Sequence, residues 1–187
     1  MKKLISALLA MFMLSSVSIS AFAADTSSAT GSADTATLKQ DKASVVSLRD
    51  QIKTLRESAS TLTKSNKAAE DSIRTKLKSE ATALKASGAD VSAYKNLMTP
   101  LKTVNSQAKA LRAQMVTAAS DIKTVKAKID TDKTSLKTDM SSKDYSSADS
   151  VLQDIITCEQ QIITDMNNII SLKQQVASLL SSLDSSI

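Results

Sequence analysis

The sequence predicts an all-α fold, an elongated antiparallel three-helix coiled-coil-like bundle whose helices run up, down and up. Apolar residues alternate at spacings of three and four through the middle of the chain, which is typical of a coiled-coil seam. The chain has only two Gly and one Pro, so turn signals are rare. Two short polar breaks separate three long segments, and such short connections make consecutive helices antiparallel neighbours.

The first 23 residues have the pattern of a cleaved signal peptide. A positive start, Met1-Lys2-Lys3, precedes an apolar stretch from Leu4 to Leu14, and Ala21-Phe22-Ala23 fits a small-x-small cleavage site. The apolar stretch is shorter than the roughly 20 residues that a membrane-spanning helix needs. We therefore expect cleavage after Ala23, no transmembrane segment in the mature chain, and an extracytoplasmic protein that is secreted, periplasmic or cell-wall associated.

Residues 24–37 are rich in Ser, Thr and Ala without a period, which predicts a disordered tether. The remaining residues, 38–187, form a single helical bundle in this interpretation. Its first helix is predicted at about 38–86. Asn66 falls on the apolar stripe of that helix, where it can fix the register of packing or sit hydrated at an edge, and the hydrated edge is the preferred interpretation. The stripe comprises Val45, Leu48, Ile52, Leu55, Ala59, Leu62, Asn66, Ala69 and Ile73.

The second helix is predicted at about 91–140. Gly88 suits the left-handed position after a helix, and Asp90 can cap the next one. Because a proline inside a helix removes a hydrogen bond and clashes with the preceding turn, Pro100 predicts a kink or break near 98–100. Asp132 interrupts the seam of this helix near its end. From residue 94 to residue 129 every seam position is apolar: Tyr94, Leu97, Leu101, Val104, Ala108, Leu111, Met115, Ala118, Ile122, Val125 and Ile129.

The third helix is predicted at about 145–183, with Asp144 as its N-cap. A second apolar column widens its seam into a face that fits the groove between two other helices. Lys173 is the one basic residue from position 144 onward, whereas six residues there are acidic. An acidic helix is expected to settle against two basic ones. The second column is formed by Ile156, Ile163, Ile170 and Ala177.

The residues that carry chemistry are scarce, which argues against an enzyme and against a bound cofactor or metal. The chain has no His and one Cys, so it offers no imidazole base and no thiolate metal cluster. Cys158 has two interpretations. It can be a small half-buried hydrophobic residue, or it can form an intermolecular disulfide in an oxidising compartment.

The formal net charge of +5 indicates an anionic partner or a solvated basic surface, and the solvated surface is favoured. Nucleic acid is not expected, because its readers interleave aromatic side chains for stacking and the chain has two Tyr and no Trp. An unknown envelope protein or an anionic polymer fits better, and a homo-oligomer stays open. The candidate surface comprises Lys64, Lys67, Arg74, Lys76, Lys78, Lys123, Lys126 and Lys128.

These observations predict a non-catalytic secreted or cell-envelope helical protein that acts as a structural spacer or as a protein- or polymer-interaction module. The alternative is an extracytoplasmic holdase chaperone. In size, charge and helicity the chain resembles the small basic helical chaperones of the Spy and CpxP type. Their LTxxQ motif is absent from this sequence, and a holdase would also need an exposed apolar surface, which the wide face of the third helix could supply.

Overall fold

The computed structural model describes residues 32–187, and these residues form three long helices. Helix α1 spans Ser32–Ala86, α2 spans Val91–Ser142 and α3 spans Tyr145–Ser186. The predicted all-helical three-helix bundle is confirmed. The predicted signal peptide and residues 24–31 of the predicted tether lie outside the described residues. In the described part of the chain, none of the helices has the length and apolar character needed to cross a membrane.

Helix α1 begins six residues before its predicted start, so residues 32–37 are helical rather than part of a tether. Leu38 is buried and anchors this end of α1 in the core. Once a helix is anchored, adding residues to its end costs little, because the unfavourable step is nucleation. Helix α3 likewise continues to Ser186, three residues beyond the predicted end.

Helix α2 continues through Pro100 without interruption, so the predicted break is wrong, whereas the alternative of a kink stays a prediction. The proline removes the hydrogen bond that would reach the carbonyl of Asn96. Asn96 is exposed, so water can bond that carbonyl instead. The first turns of α2 are also held by Tyr94, whose hydroxyl donates to the carbonyl of Ala81 in α1 at 3.2 Å.

The two connections have the predicted caps. Gly88 adopts φ +70° after α1, and the Asp90 carboxylate accepts from the backbone N–H of Ser92 at 2.9 Å. Asp144 accepts from the backbone N–H of Ser147 at 3.0 Å. Hydrogen bonds from the Ser92 hydroxyl and neighbouring backbone N–H groups lower the pKa of Asp90. The backbone and hydroxyl bonds from Ser147 lower that of Asp144 in the same way.

Helix α3 is the centre of the bundle. It packs along both α1 and α2, whereas α1 and α2 contact each other at few positions. Its side chains Ile155 and Ile162 are each only 1% exposed. Contacts between α1 and α3 occur at increasing residue numbers in both helices, so these two helices run parallel and α2 runs antiparallel to them. Those contacts join Asp41 to Gln153, Arg49 to Glu159, Asn66 to Lys173 and Lys76 to Asp184.

Asn66 is not at a hydrated edge, and the preferred interpretation of this residue is wrong. Its side chain is buried, and its amide nitrogen donates to the carbonyl of Lys173 at 2.9 Å. The amide is held there because α1 and α3 pack closely enough for a short polar side chain to reach the backbone of the neighbouring helix. This buried amide finds its hydrogen-bond partner only when α1 and α3 are aligned as observed. The hydrogen bond therefore favours this register of the two helices over others.

Candidate interaction surface

The eight basic residues predicted as one anionic-partner surface lie at four different places on the bundle. Lys76 forms an ion pair with Asp184 at 2.7 Å. Lys128 lies between α2 and α3, 3.6 Å from a carboxylate oxygen of Asp154. Lys64 and Lys78 are exposed and each follows a buried seam residue by five positions, which places them on the outer surface of α1.

The other four predicted residues, Lys67, Arg74, Lys123 and Lys126, border the gap between α1 and α2. We call this gap the α1–α2 groove; it opens on the side of the bundle opposite α3. Lys67 and Arg74 each follow a seam residue of α1 by one position, and Lys123 has the same relation to the seam of α2. Residues that share a heptad position lie on the same side of their helix. These four residues therefore lie on the groove side of α1 and α2, while the single binding surface for an anionic partner stays a prediction.

Contacts across the α1–α2 groove involve the same heptad position on both helices, four residues after a buried seam residue. Arg112 of α2 pairs with Glu70 of α1 in this way. Arg56 and Lys126 are close enough to interact: desolvation lowers the pKa of Lys126, and the positive charge of Arg56 lowers it further. The Arg112–Glu70 pair favours one relative register of α1 and α2 on the groove side, whereas Arg56 and Lys126 repel each other there.

A buried carboxylate lies at the base of the groove. Glu159 of α3 is 5% exposed and accepts a hydrogen bond from Nε of Arg49 at 2.9 Å. Its negative charge also acts on Lys126, whose pKa it raises against the two stronger lowering effects. This acid therefore interacts with Arg49 and Lys126, and Lys126 in turn lies near Arg56. Sequence reasoning missed the two arginines, although their spacing of seven residues placed them in one column.

Nearer the connection between α1 and α2, the groove contains a cleft of about 230 Å³. Its walls combine apolar side chains with the Arg112–Glu70 pair and with Arg74. The apolar walls belong to a second core cluster around Ile73, Val176, Leu180 and Leu183. The cleft widens the groove and leaves the guanidinium groups of both arginines at its border.

Cys158 is buried at 7% exposure between α2 and α3. Nζ of Lys128 lies 3.7 Å from its sulfur. Desolvation lowers the pKa of Lys128, but Cys158, Asp132 and Asp154 together raise it above the ordinary lysine value. The intermolecular disulfide stays a prediction, and it requires the α2–α3 interface to open at this point. Among residues 32–187, no cluster of three or more His, Cys, Asp or Glu side chains has the arrangement to hold a metal ion.

Comparison with known proteins gives no relative from which a function could be transferred. No protein-family model matches the chain, and neither curated proteins nor solved structures provide a significant match. The class of protein is therefore described by its own structure: a three-helix bundle with a polar groove between its two longest helices.

Proposed function

We propose that the protein is a non-catalytic, secreted or cell-envelope helical protein that acts as a structural spacer or as an interaction module for a protein or an anionic polymer. The observation that carries the proposal is the division of apolar side chains to the core and polar side chains to the surface. The apolar stripes hold α3 against α1 and α2 along the whole bundle. Most outward positions carry polar residues, chiefly Lys, Ser, Thr and Asp, although Val46, Val91 and Val116 are exposed as well. This surface is available for contacts with a partner.

The dimensions support a spacer. Helix α1 has 55 residues and is about 80 Å long at a rise of about 1.5 Å per residue. Packing against a second and a third helix stiffens such a rod, because bending it would separate interdigitated side chains. A rod of this kind can hold two attachment points apart or present a long surface.

Export is tested by expressing the full chain in a bacterium and separating cytoplasm from envelope and medium. We expect the protein outside the cytoplasm with Ala24 as its first residue. A matched control replaces Leu8 and Leu9 by Asp, which breaks the apolar stretch of the leader and should retain the uncleaved protein inside. If the unaltered chain stays cytoplasmic and begins at Met1, the envelope assignment is wrong.

The alternative, an extracytoplasmic holdase chaperone, has one supporting observation. Ile156 and Ile163 of α3 are only half-buried, as are Leu55 and Leu62 of α1, so apolar surface remains accessible on the bundle. A holdase should suppress aggregation of an unfolding client protein when present at several-fold molar excess. If the client protein aggregates as much as without the bundle, the chaperone function is excluded. If the bundle suppresses that aggregation but is not exported from the cytoplasm, the envelope role is excluded.

A further inference from the structure

The α1 border of the groove is basic along its length. Two heptad columns form this border: the residues four positions after a buried seam residue and those one position after it. Between residues 49 and 74 these columns contain five exposed cations, Arg49, Lys53, Arg56, Lys67 and Arg74, and the one acid in them is Glu70. The contacts of Arg49 with Glu159 and of Glu70 with Arg112 show that the first column faces the groove.

The α2 border repeats this pattern. Between residues 102 and 133 the equivalent two columns contain six exposed cations, Lys102, Lys109, Arg112, Lys123, Lys126 and Lys133, and the one acid is Asp130. We define the basic face as these eleven cations on the two borders. It is about 40 Å long at about 1.5 Å per residue, which gives about one positive charge per 4 Å.

Most of this charge is not neutralised within the bundle. Among the described residues, ion pairs engage three members of the basic face: Arg49 with Glu159, Arg112 with Glu70 and Lys133 with Asp130. Both acids within the face are already occupied by these pairs. The remaining cations repel one another, and repulsion of this kind opposes folding unless a counter-charge is supplied. A spacer needs only a mixed, soluble surface, so the segregation points to an anionic partner.

We propose that the basic face is the docking surface for a flexible phosphodiester polymer without bases, of the poly(glycerol phosphate) kind; this inference rests on the proposed extracytoplasmic function. Such a chain can lie along the groove and meet both columns on each border. Of the four arginines in the face, Arg56 and Arg74 lie outside the ion pairs found among the described residues, and they supply planar donor groups that match phosphate oxygens. The lysines supply mobile point charges.

Two other anionic partners fit the geometry less well. A membrane surface is flat, so its headgroups would reach the column one position after the seam more easily than the column four positions after it. Arg49 and Lys126 belong to the second of these columns and interact with buried Glu159 at the groove base. A single-stranded nucleic acid would expose bases that need aromatic platforms. The basic face contains no aromatic residue, since Tyr94 lies on the α2 seam and Tyr145 begins α3.

The test measures binding of the purified protein to poly(glycerol phosphate) over a series of salt concentrations. Exchange of Lys53, Lys67, Lys109 and Lys123 for Glu removes four charges of the face and adds four of opposite sign. The expected result is a loss of affinity of about 100-fold or more and a shallower slope of log K against log salt concentration, because fewer counterions are released. The matched control exchanges four lysines outside the face for Glu, namely Lys64, Lys78, Lys85 and Lys143. Its affinity for the polymer should fall by less than about 5-fold.

Several outcomes overturn the proposal. Equal losses in the two variants would show that only net charge matters. Equal or tighter binding of single-stranded DNA, of vesicles rich in anionic lipid or of a polyuronate would assign the face to that partner instead. If circular dichroism shows that the first variant does not fold, the test uses the unaltered protein alone. A slope of log K against log salt concentration that corresponds to fewer than about two phosphate contacts would then exclude a complex along the whole groove. An exported protein that does not bind the polymer refutes this inference alone, whereas a cytoplasmic protein refutes the proposed function.

Discussion

The ion pair between Arg49 and Glu159 gives a measurable prediction about how α1 and α3 are held together. Glu159 occupies a seam position of α3 with a side chain that is 6% exposed, whereas the Arg49 side chain is 46% exposed. Replacing Arg49 by Ala removes the donor at 2.9 Å and leaves a buried carboxylate without that partner. Replacing Glu159 by Leu instead removes the buried charge and fills the seam with an apolar side chain.

The expected costs follow from this asymmetry. Breaking a fully buried pair by removing one partner costs about 3–5 kcal/mol, but here the arginine is half exposed and Lys126 still interacts with the carboxylate. We therefore expect Arg49→Ala to lower the free energy of unfolding by about 1–2 kcal/mol, the range for a hydrogen bond to a charged group at a partly hydrated site. We expect Glu159→Leu to be neutral or stabilising, because an apolar side chain in a seam avoids desolvating a charge.

Urea unfolding followed by circular dichroism measures both variants and the double variant, with equal m-values as the check that the unfolded state is unchanged. In the double variant Arg49→Ala should cost less than about 0.5 kcal/mol, because its partner is gone. The same cost of Arg49→Ala with and without Glu159 would show that the pair does not couple α1 to α3.

Three further predictions concern the core, the proline and a helix cap. Ile162→Ala should lower the free energy of unfolding in urea by about 2–5 kcal/mol, because Ile162 is 1% exposed and its truncation leaves a cavity. Val116 is 70% exposed, so Val116→Ala should change that free energy by less than about 0.5 kcal/mol. Pro100→Ala should raise the urea midpoint, because it restores the hydrogen bond to Asn96, and a lowered midpoint would show that the proline is needed in α2. Folding lowers the pKa of Asp90, so its stabilising contribution is present above the ordinary aspartate pKa and is lost as pH falls through the lower folded pKa. Asp90→Asn should therefore lose less stability on acidification than the unaltered chain. Parallel pH profiles of stability for the two proteins would argue against this role.

Local chemistry made much of the fold predictable. The helices follow from apolar spacing, and their ends follow from Gly88, Asp90 and Asp144, whose conformations or hydrogen bonds depend on neighbours in sequence. The central place of α3 follows from its wide apolar face and its acidic charge. The continuity of α2 through Pro100 could not be predicted, because it depends on the exposure of one carbonyl and on the Tyr94–Ala81 contact between helices.

The candidate site was predicted only in part, because the basic residues were grouped by proximity in sequence. Lys126 and Lys128 are only two residues apart, yet Lys126 borders the groove and Lys128 lies beside α3 at Asp154. Successive residues turn by about 100° around a helix, so these two side chains point about 200° apart. The width of the groove was not predictable in the same way, because it depends on how closely α1 and α2 each approach α3.

Helix α3 packs within its own chain, parallel to α1. Distances between spin labels test this packing directly in a Cys158→Ala background, with one label replacing Glu57 and the other replacing Asn167 or Ser182, all of which are exposed. The contacts between α1 and α3 place Glu57 level with Asn167, so the pair with Ser182 should be longer, with fifteen further residues accounting for about 22 Å of helix. Both distances should survive dilution with unlabelled protein. A shorter distance to Ser182, or loss of the signal on dilution, would contradict the parallel packing of α3 within one chain.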